Sequence, residues 1–449
     1  MYKYLILALL GFHSISAQNT PKKKANNQKT DLKIVTLDPG HFHAALVQKT
    51  DLKGVSPEVY VYAPKGAELE QHLARINAYN SRSENPTHWH ENVYEGLDYF
   101  EKMISEKKGD VVVMSGNNAK KTASILATVK AGMNVLADKP MCIDAKGYEQ
   151  LKEAFKVAKQ NNVLLYDIMT ERSEITTVLQ KELSQMPEIF GKLQEGTLEK
   201  PAIVKESVHH FYKFVSGAPL IRPSWFMDTK QQGEGIVDVT THLVDLVQWA
   251  AFPETALQIQ DAKLLKAKRW ATNMTLDQFS TITGEKAFPA YMKNNLSDPN
   301  TLQIFANGEI DYTLKGHHAK VRVIWNYSTD KGGDTHYSII RGTKSEIEIT
   351  QTDALPQLSI NSKNLSEADV KKAIETLSKT YEGLGYTKTE SGYLINIPAK
   401  FRTGHESHFG EVMERFLHYY DANKLPAWEV PNMLLKYYIT TQALELAKK

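Results

Sequence analysis

Short uninterrupted apolar runs, each followed by a helix-like stretch, fill the first third of the chain. Residues 32–37, 58–63, 111–114, 134–137 and 163–168 are compact apolar segments bounded by turn residues. That is the pattern of strands buried on both faces of a parallel sheet. The segments 45–49, 68–79, 93–106 and 119–131 between them read as helices, and Tyr148, Leu151, Phe155 and Ala158 mark another, capped by Asp144. The fullest unit is 109–144, GDVVVMSGNNAKKTASILATVKAGMNVLADKPMCID. Turn chemistry at 115–118 leads into Ala123, Leu126 and Val129 at helical spacing, and Gly132 stops the helix before the next strand. A strand–helix–strand of this length is a right-handed crossover of a parallel sheet. Ligands of such sheets bind at the carboxyl ends of strands, where Asn117 and Lys139 both fall.

Beyond residue 170 the pattern changes. A helix over 174–184 leads to a strand over 202–215 and a helix over 233–252. Two apolar runs, 302–306 and 309–314, flank Asn307-Gly308, a strong hairpin signal. Strands follow at 319–327, 335–341 and 345–350, and helices at 405–421 and 431–447. Strands joined by short turns predict a mostly antiparallel sheet. The expected fold class is therefore α/β, with a parallel-sheet domain over 31–170 and an α+β domain over 171–449 built on an open antiparallel sheet.

The N-terminus carries a different message. Residues 1–17, MYKYLILALLGFHSISA, hold Lys3, an apolar core and small residues at the end, the form of a secretory signal peptide cut before Gln18. The apolar run is too short to span a membrane. Residues 18–30 are rich in Lys, Asn and Gln and read as a disordered leader. Cys142 is the single cysteine, so no internal disulfide forms, which for an exported chain points to a periplasm. A net charge of +2 gives no reason to propose nucleic acid or an anionic membrane as partner.

Three clusters carry candidate chemistry. The first is Ser115-Gly116-Asn117, Ala131-Gly132 and Asp138-Lys139-Pro140. The second is Gly233-x-Gly235-x-x-Asp238-x-x-x-His242-x-x-Asp245, in which helical spacing puts Asp238, His242 and Asp245 on one face. The third is the turn Asp38-Pro39-Gly40-His41-Phe42-His43-Ala44 after the first strand.

The first two clusters in register resemble the Gfo/Idh/MocA oxidoreductases, the family of glucose–fructose oxidoreductase and inositol dehydrogenase. That family has Thr-Pro-Asn, Ala-Gly and Glu-Lys-Pro in the first cluster, and a glycine-rich run with Asp and His in the second. Here Lys120 stands where the family usually has His, Asp138 replaces Glu, and Thr240 replaces an inner glycine. The resemblance implies a Rossmann-like nucleotide domain, a last helix that packs back on it, and a homo-oligomer formed through the open sheet. It implies a hydride transfer between NAD(H) or NADP(H), tightly held, and a carbohydrate. In that reading His242 accepts the hydroxyl proton, Asp238 or Asp245 orients the imidazole ring, and Lys139 stabilises charge on the oxygen. Gly40, His41, His43, Ser115, Asn117, Lys139 and Pro140 would meet the cofactor. Asp245, Glu171, Arg172 and Trp225 would meet the substrate.

The third cluster departs from the family. Where Gly-x-Gly-x-x-Gly normally lets amides approach the diphosphate, only Gly40 and the small Ala44 remain, and Ala63-Pro64-Lys65 lacks the usual acid for the ribose. Two other functions therefore stay open. One is an NAD-dependent glycosidase or lyase acting by transient sugar oxidation. The other is a metal-dependent or non-catalytic sugar-binding protein. His41/His43 and His88/His90 have metal-ligand spacing, but no metal is assigned to them.

Overall fold

The computed structural model describes residues 31–449 apart from 216, 330–332, 352–354 and 363. The signal peptide and leader expected at 1–17 and 18–30 lie outside the described residues. Among the described residues, six strands form a parallel sheet: β1 (Ile34–Leu37), β2 (Glu58–Ala63), β3 (His90–Glu95), β4 (Val111–Met114), β5 (Asn134–Asp138) and β6 (Leu165–Ile168). Their order is β3-β2-β1-β4-β5-β6, which reverses direction between β1 and β4. That reversal opens a crevice at the carboxyl ends of the two strands. The connecting helices are α1 (His43–Leu46), α2 (Ala67–Ser81), α3 (Tyr99–Glu106), α4 (Asn118–Lys130) and α5 (Ala145–Gln160). β1 and β4 are buried along their whole length, as continuous apolar runs require.

The second sheet is mixed. Helix α6 (Ile175–Ser184) precedes β7 (Ile203–His210), a two-strand ribbon of β8 (Phe214–Val215) and β9 (Ala218–Pro219), and helices α7 (Thr229–Gln232) and α8 (Thr240–Ala251). Then come β10 (Ala262–Thr275), α9 (Leu276–Thr283), β11 (Leu296–Asp298), β12 (Thr301–Leu314), β13 (His317–Asn326), β14 (Thr335–Arg341), β15 (Glu346–Thr350) and β16 (Gln357–Asn361). Helix α10 (Glu367–Leu377), strands β17 (Gly385–Lys388) and β18 (Gly392–Asn396), and helices α11 (His405–Ala422) and α12 (Glu429–Ala447) complete the chain. The sheet order is β10-β12-β13-β7-β14-β15-β16-β18-β17, antiparallel except for the β13–β7 pair. Leu179 and Leu183 of α6, Val244 and Val247 of α8 and Leu435 and Ile439 of α12 pack against its apolar side chains in one core. The expected α/β class, with a parallel sheet followed by a mostly antiparallel one, is what forms.

α11 and α12 return to the first sheet. Phe409, Met413, Phe416, Met433 and Tyr437 share a core with β1, β4 and β5. The Tyr437 hydroxyl donates to Asp167 Oδ2 at 3.1 Å and accepts from the Met141 amide.

Three local expectations fail for physical reasons. The helix expected over 93–106 is the edge strand β3 followed by α3, because the polar, half-exposed segment His90–Glu95 suits a solvent-facing edge better than a helix face. Asn307-Gly308 is no hairpin but the middle of β12, where Asn307 Nδ2 donates to Trp270 O and Thr272 Oγ1. The expected helix over 233–252 is only α8, and residues 233–239 form turns ahead of it.

Candidate active site

β5 delivers Lys139 to the crevice, and a turn built on glycines delivers Asp238 to meet it. Asp228 caps α7, which ends at Gly233 with φ +94°. At Gly235 an added Cβ would stand 1.7 Å from the Ala306 carbonyl oxygen, so only glycine lets this turn lie on β12. Gly308 serves the same approach from the strand side, since a Cβ there would meet Ile236 at 2.7 Å. The Lys139 ammonium then donates to Asp238 Oδ1 at 2.6 Å, and Gln232 Nε2 donates to Asp238 Oδ2 at 2.9 Å. Both charges are buried, which is tolerable because each is paired.

His242 lies in the first turn of α8, 8% exposed, and its Nδ1 has no partner. Burial, and then the Lys139 charge, push its pKa down to about 3, so the imidazole is neutral. Lys139, Asp238 and His242 line one cavity of about 800 Å³ that runs from the ends of β1, β4 and β5 to the second sheet. Gly116, Asn118, His41, His43, Glu171 and Trp225 line it too.

The other predicted residues fall differently. Ser115, Asn117, Pro140 and Gly40 are not among the lining residues. Asn117 is committed as the cap of α4, and its Nδ2 donates to Gln231 Oε1 at 2.8 Å. Arg172 and Asp245, expected to meet substrate, belong instead to a buried ion network. Arg172 donates to both Asp245 oxygens at 2.6 and 2.7 Å and to Glu429 at 2.8 Å, while Lys436 bonds Asp245 and Asp167 at 2.9 and 2.7 Å. With α8 starting at Thr240, Asp245 turns away from the cavity toward α12. Glu171 lines the cavity and bonds His405 Nδ1 at 3.1 Å. Trp225 is fastened by its Nε1 to Glu68 Oε1 at 2.9 Å, so it walls the cavity as part of the frame.

The turn after β1 has a left-handed residue, Asp38 with φ +45°, and two of its amides are occupied. Gly40 N donates to Asp38 O at 2.7 Å and His41 N to Ser115 O at 2.8 Å. The Glu68 carboxylate covers Gly40, within 2.3 Å of where a Cβ would stand. α1 spans only His43–Leu46. His41 and His43 both direct Nδ1 to Asp138 Oδ2, at 3.3 and 2.8 Å. The second His pair comes apart: His88 is exposed and bonds Asp51 at 2.6 Å, and His90 sits exposed on β3.

Lys205, Lys213, Arg222 and Asp334, which no sequence motif marks, also line the cavity. Burial pushes the Lys205 amine down to about 7, and its Nζ donates to Gln180 Oε1 at 2.6 Å. The available signal was a lysine directly after the apolar run Ala202-Ile203-Val204.

Two family models match the chain. One, described as "Oxidoreductase family, NAD-binding Rossmann fold", covers residues 40–167, and the other, described as "Putative oxidoreductase C terminal domain", covers 179–448. No curated protein matches. Among solved structures, a "putative oxidoreductase" from Parabacteroides merdae is 50% identical, over 94% of this chain and 98% of that one, with a TM-score of 0.90. The myo-inositol 2-dehydrogenase of Lactobacillus plantarum is 13% identical over 93% and 97% of the two chains, with a TM-score of 0.55. A levoglucosan dehydrogenase in complex with NADH and levoglucosan is 11% identical over 93% and 97%, with a TM-score of 0.59. The latter two share the fold.

Proposed function

The chain belongs to the Gfo/Idh/MocA oxidoreductase family, and from that premise we propose that it is an exported enzyme moving a hydride between a nicotinamide cofactor and a hydroxyl or keto carbon of a sugar or glycoside. The observation that carries this reading is the buried constellation of an ammonium, its carboxylate and a partnerless neutral imidazole on one cavity wall, Lys139, Asp238 and His242.

The residues fit a nicotinamide at that end. The cavity opens at the sheet's point of reversal, Gly116 lets the end of β4 lie against the Asp38 carbonyl, 2.4 Å from where a Cβ would stand, and the His242 Nδ1 is an orphaned buried polar atom. Gly116, Asn118 and Lys139 would hold the ring side. A bound nicotinamide supplies the hydride acceptor or donor. The phosphate side is different, because the Glu68 carboxylate must swing off Gly40 before a diphosphate reaches the turn.

The chain's own residues handle the proton. Neutral His242 takes it from the substrate hydroxyl as the carbon is oxidised. Lys139 donates a hydrogen bond to the same oxygen and steadies its developing negative charge. Asp238 holds the ammonium in place, and Gln232 holds Asp238. Export through residues 1–17 belongs to the same proposal, with a mature chain starting at Gln18. Among the described residues no helix is long and apolar enough to cross a membrane.

The test is to denature protein purified from the periplasm and look for released NAD or NADP by mass spectrometry. Cofactor-dependent turnover of a panel of sugars and glycosides is measured in parallel. Stoichiometric nicotinamide with turnover is expected. Protein that neither carries nor uses a nicotinamide would sink the reading.

A further inference from the structure

The turn after β1 lost its glycines in a particular way: it brings two imidazoles onto one carboxylate. His41 comes from the turn after β1, His43 from the first position of α1 and Asp138 from the end of β5, the histidines 97 and 95 positions from the acid. Both Nδ1 atoms address the same oxygen, at 3.3 and 2.8 Å. A ligand atom from each of the three residues lies within 4.8 Å of the other two. His43 and Asp138 are 8% and 3% exposed, yet all three residues line the cavity.

We propose that His41, His43 and Asp138 form a site for one divalent transition metal of the zinc type, with its fourth coordination position open to the cavity. Two imidazoles and a carboxylate are a donor set this class of ion takes in sites that keep a place for water or substrate. A tetrahedral ion with bonds near 2 Å holds its donors roughly 3.3 Å apart. The two separations to Asp138 stand at 3.3 and 2.8 Å, so small rotations admit the ion.

The competing arrangement is two hydrogen bonds donated to Asp138. The longer of them, 3.3 Å from His41, is beyond the usual range for such a bond. The rings are also held as ligands are held. Phe226 stacks on His41 with planes 8° apart, Phe409 packs on His43 at 4.6 Å between centroids, and Lys121 Nζ anchors the Asp138 carbonyl at 3.0 Å. Preset rotamers on rigid elements are what a metal centre needs. The site goes beyond the hydride-transfer reading, and its readout is metal, not turnover.

The experiment uses the mature chain, stripped with a chelator, desalted, and titrated separately with zinc and cobalt(II). Expected is one zinc per chain retained through a second desalting, and a visible cobalt absorption band of a four- or five-coordinate ion. His43→Ala and Asp138→Asn should each weaken binding by more than about 100-fold, beyond what loss of an outer partner costs. His88→Ala, from the other His-x-His pair, should bind as wild type does. If Asp138→Asn fails to fold, His41→Ala, the most exposed of the three, carries the test with far-ultraviolet circular dichroism as the folding check. Wild-type protein that retains no stoichiometric metal would overturn the proposal. So would folded His41→Ala and His43→Ala variants that bind metal as tightly as wild type.

Discussion

Two regions face each other across the cavity and are built differently. On one wall, Lys139, Asp238 and His242 come together, with Asp238 held by Lys139 and Gln232 and His242 by the first turn of α8. On the other, the turn 38–44 has few glycines and a crowded surface. Asp38 takes a left-handed conformation, and β1 ends at the sheet's point of reversal. Two of the turn's amides are spent inside the protein, and Glu68, Trp225 and two histidines fill the space. The side chains mounted on each wall define what is bound, and they differ between the two.

The sharpest way to break the comparison is to remove the base from the wall that carries Lys139 and Asp238. His242→Ala should lower turnover by roughly 10²–10⁴-fold, the size of a general-base effect, with melting temperature little changed. Near-normal turnover would end the proton-transfer role. Next comes the ion pair. Lys139→Met strands a buried carboxylate and should cost about 3–5 kcal/mol in denaturant unfolding, and adding Asp238→Asn should recover part of it. A cost under about 1 kcal/mol would mean the pair behaves as an exposed one.

Acid sharpens the same wall. His242 is held neutral with a pKa near 3 in the folded state, against about 6.5 when unfolded. Below pH 6.5 the unfolded chain takes up a proton that the folded chain refuses, so this group's contribution falls as pH falls. The loss is roughly 1.4 kcal/mol per pH unit down to the folded value, and there is no slope from it above 6.5. His242→Gln should flatten the stability–pH curve by that amount, and identical curves for the two proteins would contradict the buried neutral state.

The smallest expected effect tests the altered turn. Glu68→Ala removes a carboxylate from beside Gly40 and should tighten nicotinamide dinucleotide binding by about tenfold, the worth of one favourable charge rearrangement near a partly buried phosphate. Weaker binding, measured by calorimetry, would show that Glu68 serves the cofactor instead of blocking it.

Local sequence logic reached the parallel sheet because its strands are uniform apolar runs, which read the same from either face. It reached Lys139 and His242 because both sit in motifs with fixed spacing. It misplaced Asp245, since the cations that claim its carboxylate, Arg172 and Lys436, lie 73 and 191 positions away. Asn307-Gly308 carried a turn signature, but its glycine answers to Ile236, a residue 72 positions away. The meeting of His41 and His43 with Asp138 was likewise out of reach, since nothing local ties the end of β1 to the end of β5. Long-range packing decided each of these, and no short window of sequence contains it.

Lys436 gives the architecture a direction in time. It sits in the last helix, wholly buried, bridging Asp167 at the end of β6 and Asp245 of α8. A chain made from its N-terminus finishes β6 long before Lys436 exists. Until the final helix emerges and docks, Asp167 lacks the cation that balances it and Asp245 has Arg172 alone, so neither half can settle into its final buried charge state. The first sheet to be synthesised is therefore completed by nearly the last residues to arrive.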